Sequence, residues 1–382
     1  MFSVRHGFAA AFVLALGASA WAADGDCRVI VGCKGDADSA ALGKLGVKVE
    51  SARGCIAAGT VPPGKIAALR ADPSVAYVEE DGIATACAGK PAPAPVPTQP
   101  SESTPWGVAR VWGSDAGAGL PAKTGDGVTV AVIDTGIDMN HPDLAGNIDS
   151  AKSKTFVTRT STPDDDNGHG THVSGTIAAE DNTIGVIGVA PGATLIAIKV
   201  LDKRGSGYWS DVASGIAWAE EKGANVANMS LGGGANDTLE AACTSAANGG
   251  VLLIAAAGNS GDGDSTTDEV GYPAAYASVV SVGATTSNDG IASFSNSNSD
   301  VEVSAPGSGI PSTYKGDTYA TLSGTSMASP HAAGMAALLW EESADAGGSP
   351  TASSVRTTLG TRVRAKTPAN SFGAGIIYFP KP

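Results

Sequence analysis

The sequence predicts two folded parts: a small α+β sandwich over residues 24–87, and an α/β domain over 104–382 whose parallel sheet is covered by helices on both faces. Three observations carry this. Before residue 87 the patterns run strand, helix, strand, strand, helix, strand, the order of a ferredoxin-like sandwich. After Asp134, strand-length apolar runs alternate with helical patterns, as in a parallel sheet buried on both faces. Between the parts, within residues 88–103, lies Lys90-Pro91-Ala92-Pro93-Ala94-Pro95-Val96-Pro97-Thr98-Gln99-Pro100. Alternating proline makes this an extended spacer with no core of its own.

The chain opens with Arg5 and His6, an apolar run from Phe8 to Leu16, and Ala20-Trp21-Ala22. That is the layout of a secretory signal peptide over residues 1–23, too short to span a membrane. No cysteine directly follows the expected cut, so no lipid anchor is expected. With a formal net charge of −14, neither nucleic acid nor an anionic membrane surface suits as a partner. A secreted protein, extracellular or periplasmic, that can bind cations does.

Within the small unit, Arg28 to Val31 reads as a strand and Ala37 to Leu45 as a helix. Val47 to Val61 reads as two strands around Arg53-Gly54, Lys65 to Ala71 as a helix, and Val75 to Val78 as the last strand. Cys27, Cys33, Cys55 and Cys87 all precede residue 100, and an oxidising compartment allows disulfides among them. Cys27 and Cys33 cannot pair with each other, since opposite ends of one strand lie roughly 20 Å apart. Cys243, in a helical pattern, reads as a buried inert thiol.

In the large part, Leu195 to Val200, Ala224 to Met229, Val251 to Ala256 and Val279 to Val282 read as buried strands. Helical patterns fall at 170–179, 210–222, 237–248 and 326–341. In such a sheet, sites form beyond the carboxyl ends of the strands. Val128 to Ile133 ends in Asp134, then Thr135-Gly136, which delivers a carboxylate to that edge. Asn167-Gly168-His169-Gly170-Thr171-His172 sets a histidine between glycines at a helix start. Gly324-Thr325-Ser326-Met327-Ala328-Ser329-Pro330-His331 sets a serine at the start of another, small-residue helix, with Pro330 placed in its first turn. A serine there meets free backbone N–H groups. It becomes a nucleophile only when a base removes its proton. His169 is the candidate base and Asp134 its orienting carboxylate. His172, His141 and His331 are assigned packing and hydrogen-bonding roles. Asp164-Asp165-Asp166 is read as a solvated acidic loop that would favour basic groups in a ligand, if it has any functional part.

The chain order Asp, His, Ser separates one class of serine hydrolase from the others. The three motifs together resemble those of the subtilases, the subtilisin-like serine proteases, and the resemblance runs from Thr104-Pro105-Trp106 to the closing turn Phe372-Gly373-Ala374-Gly375. It implies a secreted endopeptidase working through an acyl-enzyme on protein or peptide substrates, expected to be a monomer. Leu69 to Asp81 resembles the end of subtilase propeptides, which implies that the 24–87 unit is an intramolecular chaperone and inhibitor whose tail enters the cleft. Ala255-Ala256-Ala257-Gly258-Asn259-Ser260 resembles the oxyanion motif, with Asn259 as donor. Ser230, Leu231 and Gly232, with Gly205 and Gly207, resemble the two edges that hold an extended peptide by strand addition. Gly232 and Gly258 would leave a primary pocket open to large apolar side chains, with Gly271 at its base, and Trp209, Val212 and Leu231 would form a second. With Gly82 to Cys87 as the propeptide tail, the first cut is expected after Cys87, with Ala84 in the second pocket; a cut before Ser101 is the alternative. The loop from Ala178 to Pro191 resembles the subtilase calcium loop. It implies Ca²⁺ held by carbonyls of Glu180, Ile184 and Val186, the Asn182 amide oxygen, bidentate Asp143, and Glu102.

Overall fold

A computed structural model describes residues 25–87, 99–113 and 121–379. The leader and residues 88–98 of the proline-rich stretch lie outside the described residues. The chain divides into two units, residues 1–80 and 81–382.

In the first unit, β1 (Cys27–Cys33), α1 (Ser39–Lys44), β2 (Lys48–Arg53), β3 (Ile56–Val61), α2 (Ile66–Ala71) and β4 (Val75–Glu80) follow the expected order. The antiparallel sheet runs β2-β3-β1-β4. Val29 and Val31, two residues apart and so on one face, join Leu42, Ile66 and Leu69 of the helices in one buried cluster. Asp38 caps α1 by accepting from the N–H groups of Ala40 and Ala41.

The second unit opens with β5 (Ile83–Ala86), followed by α3 (Trp106–Val111), β6 (Thr129–Asp134), β7 (Lys154–Thr155), α4 (His169–Ala178) and β8 (Thr194–Lys199). Next come β9 (Ser206–Tyr208), α5 (Trp209–Glu221), β10 (Val226–Met229), β11 (Leu231–Gly232), α6 (Asp237–Asn248) and β12 (Leu252–Ala256). The remainder is β13 (Val279–Thr285), β14 (Val301–Pro306), β15 (Ile310–Tyr314), β16 (Thr318–Leu322), α7 (Thr325–Asp345), α8 (Ala352–Thr361), β17 (Val363–Arg364), α9 (Ala369–Phe372) and β18 (Ile376–Ile377). The main sheet runs β17-β18-β14-β13-β12-β10-β6-β8-β7. Its central strands are parallel, and every residue of β10, β12 and β13 is buried. Their near-continuous apolar sequences follow from burial on both faces. β15 and β16 form an antiparallel hairpin.

Two segments near the expected boundaries pack with the large unit. Residues 81–87 belong to the large unit, because β5 is the middle strand of a three-stranded sheet with β11 and β9. Residues 100–103 are not spacer: Ser101 and Ser103 bridge to Ile184 and Val186, and the Gly185 N–H donates to the Pro100 carbonyl at 2.7 Å.

Pro330 is the sixth residue of α7, past the first turn. A proline there has no N–H for the carbonyl four residues back, which is that of Ser326. The Ser326 carbonyl instead accepts the Ser230 hydroxyl at 2.9 Å, tying α7 to the end of β10.

Candidate active site

Asp134 ends β6 and His169 begins α4, so the sheet edge brings them together across 35 residues of chain. His169 Nδ1 lies 2.7 Å from Asp134 Oδ1, which also accepts the Thr135 N–H at 2.7 Å. Gly168 precedes the histidine at φ +113°, and a Cβ there would stand 2.3 Å from the Tyr314 ring. Only glycine fits both demands. Burial alone would lower the His169 pKa, but the Asp134 carboxylate beside it and, further off, Asp165 raise it above the ordinary value. Nε2 of His169 is buried and has no partner among the described residues.

Ser326 is the second residue of α7 and fully buried. Its Oγ donates to the Ser230 carbonyl at 2.9 Å rather than to His169. Its N–H points at the Cys87 carbonyl oxygen, 3.3 Å away. The same oxygen accepts from Asn259 Nδ2 at 2.6 Å. Asn259 is held amide-forward because its Oδ1 accepts from both the N–H and the hydroxyl of Thr325, each at 2.9 Å. Thr325 escaped the sequence reading; its position before Ser326 was the available signal.

β5 pairs antiparallel with both neighbours: Leu231 opposes Ala86 and Gly232 opposes Thr85 on one side, while Gly207 opposes Ala84 on the other. The ladder continues through Ala86 N–H to the Gly205 carbonyl (2.9 Å) and Cys87 N–H to the Ser230 carbonyl (3.2 Å). Each such bond contributes about 1 kcal/mol. Gly232 makes room for the Cys87 side chain, since a Cβ there would lie 3.1 Å from its Sγ. Burial, then the Asp134 charge, pushes the Cys87 thiol up to about 12. Gly271 lies against the Ala257 carbonyl, and Gly258 is packed against the Asn296 amide. Asn296 buttresses this wall by donating to the Ala257 carbonyl and accepting from the Ser260 N–H. Ala84, Val212 and Leu231 are fully buried, and the Trp209 indole lies against Gly82 and Gly233. Asp81 caps α5, accepting the N–H and hydroxyl of Ser210.

Of the acidic run, Asp164 and Asp166 are exposed, as a solvated loop requires, and Asp165 alone is not. Asp165 is 8% exposed because it folds under the start of α4 and collects N–H and hydroxyl donors there. Asp166 pairs with buried Lys199 at 2.6 Å, and Asp164 accepts from the Met139 N–H. His172, by contrast, lies 3.0 Å from the Ile310 carbonyl and is pushed down to about 3 by burial. His141 and His331 likewise sit against the carbonyls of Thr318 and Met327. Burial raises the Cys243 thiol to about 12, and all five cysteines are free in the structure.

At the Ala178–Pro191 loop, Asp143 is fully buried and makes no ion pair with Lys, Arg or His among the described residues. Burial pushes its carboxyl up to about 7, against the pull of bonds from Val186, Asn182 and Tyr319. Glu102 is fixed, its Oε1 accepting the Asn182 N–H at 2.7 Å. Asn182 turns its amide nitrogen to Asp143 (2.9 Å), and its oxygen accepts from the Ile184 N–H. A carboxylate needs a donor, and the NH₂ supplies it. The Glu180 carboxylate bonds the Gly146 N–H at 2.7 Å. Among the described residues no three His, Cys, Asp or Glu side chains gather to hold a metal. An oxygen-only donor set built on one buried, uncompensated carboxylate suits Ca²⁺ and no softer ion.

A serine at a helix start, a carboxylate-bound imidazole and a cleft that takes a peptide as a strand define a serine peptidase. Comparison gives the family. The model of the subtilase family matches residues 125–375. The chain is 45% identical over 319 residues to an alkaline protease of Shouchella clausii, covering 82% of this chain and 76% of that protein. It is 46% identical over 285 residues to subtilisin E of Bacillus subtilis strain 168 (74% and 70%) and 47% identical over 281 residues to subtilisin Savinase of Lederbergia lenta (72% and 97%). The chain belongs to the subtilase family and is a subtilisin-like serine endopeptidase.

Proposed function

We propose that the chain is made as a secreted precursor whose 24–87 unit chaperones and then inhibits the peptidase, and that Asp134, His169 and Ser326 are its triad. The observation that carries this reading is the Cys87 carbonyl, held between Asn259 Nδ2 and the Ser326 N–H. Ser326 Oγ attacks the scissile carbonyl while His169 Nε2 takes its proton. Asp134 fixes the tautomer and steadies the imidazolium. The developing oxyanion is met by Asn259 and the Ser326 N–H. His169 then protonates the leaving amine, and water hydrolyses the acyl-enzyme. Substrates bind as β5 does, between β9 and β11, with a preference for large apolar residues before the scissile bond.

The tail's register supports Cys87 as the residue before the bond to be cut, with Ala84 three residues earlier. Purified precursor left to process itself should therefore yield a chain beginning at Ala88. A first product beginning at Ser101 would contradict this register.

Calcium, where bound, would be held by Asp143, Glu102 and the 180–186 loop, and the chemistry it supplies there is charge compensation for the buried Asp143. A ligand present at about a thousand times its Kd stabilises by about 4 kcal/mol, so EDTA should lower Tm by roughly 10 °C. An Asp143→Ala protein should have the lower Tm with or without chelator. A variant that melts like wild type in both conditions would rule the site out. No described helix is long and apolar enough to cross a membrane, and the leader supports export.

A further inference from the structure

The mechanism above leaves one buried carboxylate beside the histidine unused. Asp165 Oδ1 accepts from the Thr135 hydroxyl, the Asn167 N–H and the Gly168 N–H, each at 2.9 Å. Its Oδ2 accepts from the Thr171 N–H at 3.0 Å and the Thr171 hydroxyl at 2.7 Å. Thr135 follows Asp134 directly, and its Oγ1 also accepts the Gly170 N–H at 2.8 Å. Gly168, Gly170 and Thr171 surround His169. One side chain therefore clamps the turn after β6 to the first turn of α4, the two places that carry Asp134 and His169.

Burial pushes the Asp165 carboxyl above its ordinary value, and its hydrogen-bond partners act against that, favouring the charged form. The Thr135 hydroxyl accepts from Gly170, so its own hydrogen faces Asp165, and the other four partners donate as well. A proton on either oxygen would face another hydrogen. No Lys, Arg or His pairs with Asp165 among the described residues; the nearby Lys199 Nζ is committed to Asp166 and to the carbonyls of Thr135 and Leu201. The other charged or titratable groups here are Asp134 and Asp138 at the β6 turn, Asp164 in its own loop, His172 on α4, Tyr314 and Lys315 at the β15–β16 hairpin, and Cys87. A carboxylate at a helix start also complements the N–H groups there.

We infer that Asp165 is a positioning residue for proton transfer at His169, a second carboxylate that holds the imidazole in place and steadies it when it becomes charged. Its charge also contributes to raising the His169 pKa. The inference rests on the reading of His169 as general base.

The test uses wild-type, Asp165→Asn, Thr135→Val and His169→Ala chains of mature length, each folded with the 24–87 unit supplied as a separate chain because His169→Ala cannot cut itself, with kcat, KM and the pH profile of kcat/KM on a peptide anilide. Asp165→Asn should lose about 10- to 100-fold in kcat with KM within about twofold. Removing a negative charge destabilises the imidazolium, so the acid limb should move to lower pH, by about 0.3 unit or more. Thr135→Val keeps the charge and removes one link, so kcat should fall about tenfold with the limb unmoved. An Asp165→Asn enzyme with wild-type kcat and an unmoved limb, beside an inactive His169→Ala, would overturn this inference alone. Should Asp165→Asn not fold, Thr135→Val with wild-type kcat would overturn it. A His169→Ala enzyme as active as wild type would overturn the general-base reading and this inference together.

Discussion

Ser326→Ala is expected to accumulate as uncleaved precursor with no measurable peptidase activity. The hydroxyl is the only group of this residue that can attack, and the same attack is needed for substrates and for self-cleavage. Removing a triad serine from a subtilisin costs about 10⁶-fold in kcat, a magnitude carried over from that relative. The loss should not come from misfolding. The Ser326 N–H, which faces the Cys87 carbonyl, and its own carbonyl, which accepts from Ser230, both belong to the backbone. The precursor should therefore keep residues 81–87 in the cleft, protected from added protease. Maturation of purified Ser326→Ala precursor with no other protease present would contradict the assignment.

Asn259→Ala should keep the substrate bound but slow its turnover by about 10²- to 10³-fold, mostly in kcat. The figure is the known one for a subtilisin oxyanion asparagine. What this chain adds is the reason the amide is ready. Thr325 takes both bonds to Oδ1, so Nδ2 faces the oxyanion position without reorganisation. Thr325→Val should then reproduce part of the Asn259→Ala loss, because the N–H bond remains while the hydroxyl bond goes. Steady-state kinetics on one substrate would check both variants. A fall confined to KM would mean that Asn259 contributes ordinary binding.

The approach of His169 to Asp134 and the extended form of residues 83–86 were readable because each is carried by a short run of neighbours. Ala84 is buried and Cys87 lies beside Gly232, since a strand's register is set by its own alternation once one edge is paired. What stayed hidden depends on bonds between distant residues. Asp165 sits in a run of three aspartates that looks solvated until α4 folds over it. The break at Pro330 is satisfied by a serine 100 residues earlier. Asn296 and Asp81 give no local hint of the wall and the helix end that they support. Residues 100–103 were assigned to the spacer on composition, although their pairing with residues 183–186 makes them part of the peptidase.

The central claim is that Ser326 is a nucleophile activated by His169. Labelling with a fluorophosphonate, followed by peptide mass mapping, tests it most directly. The mature enzyme should take up one equivalent on Ser326, and a His169→Ala chain of mature length, lacking residues 81–87, should label at least about a hundredfold more slowly. Stoichiometric loss of activity with the label on any other serine, or undiminished labelling in His169→Ala, would contradict it.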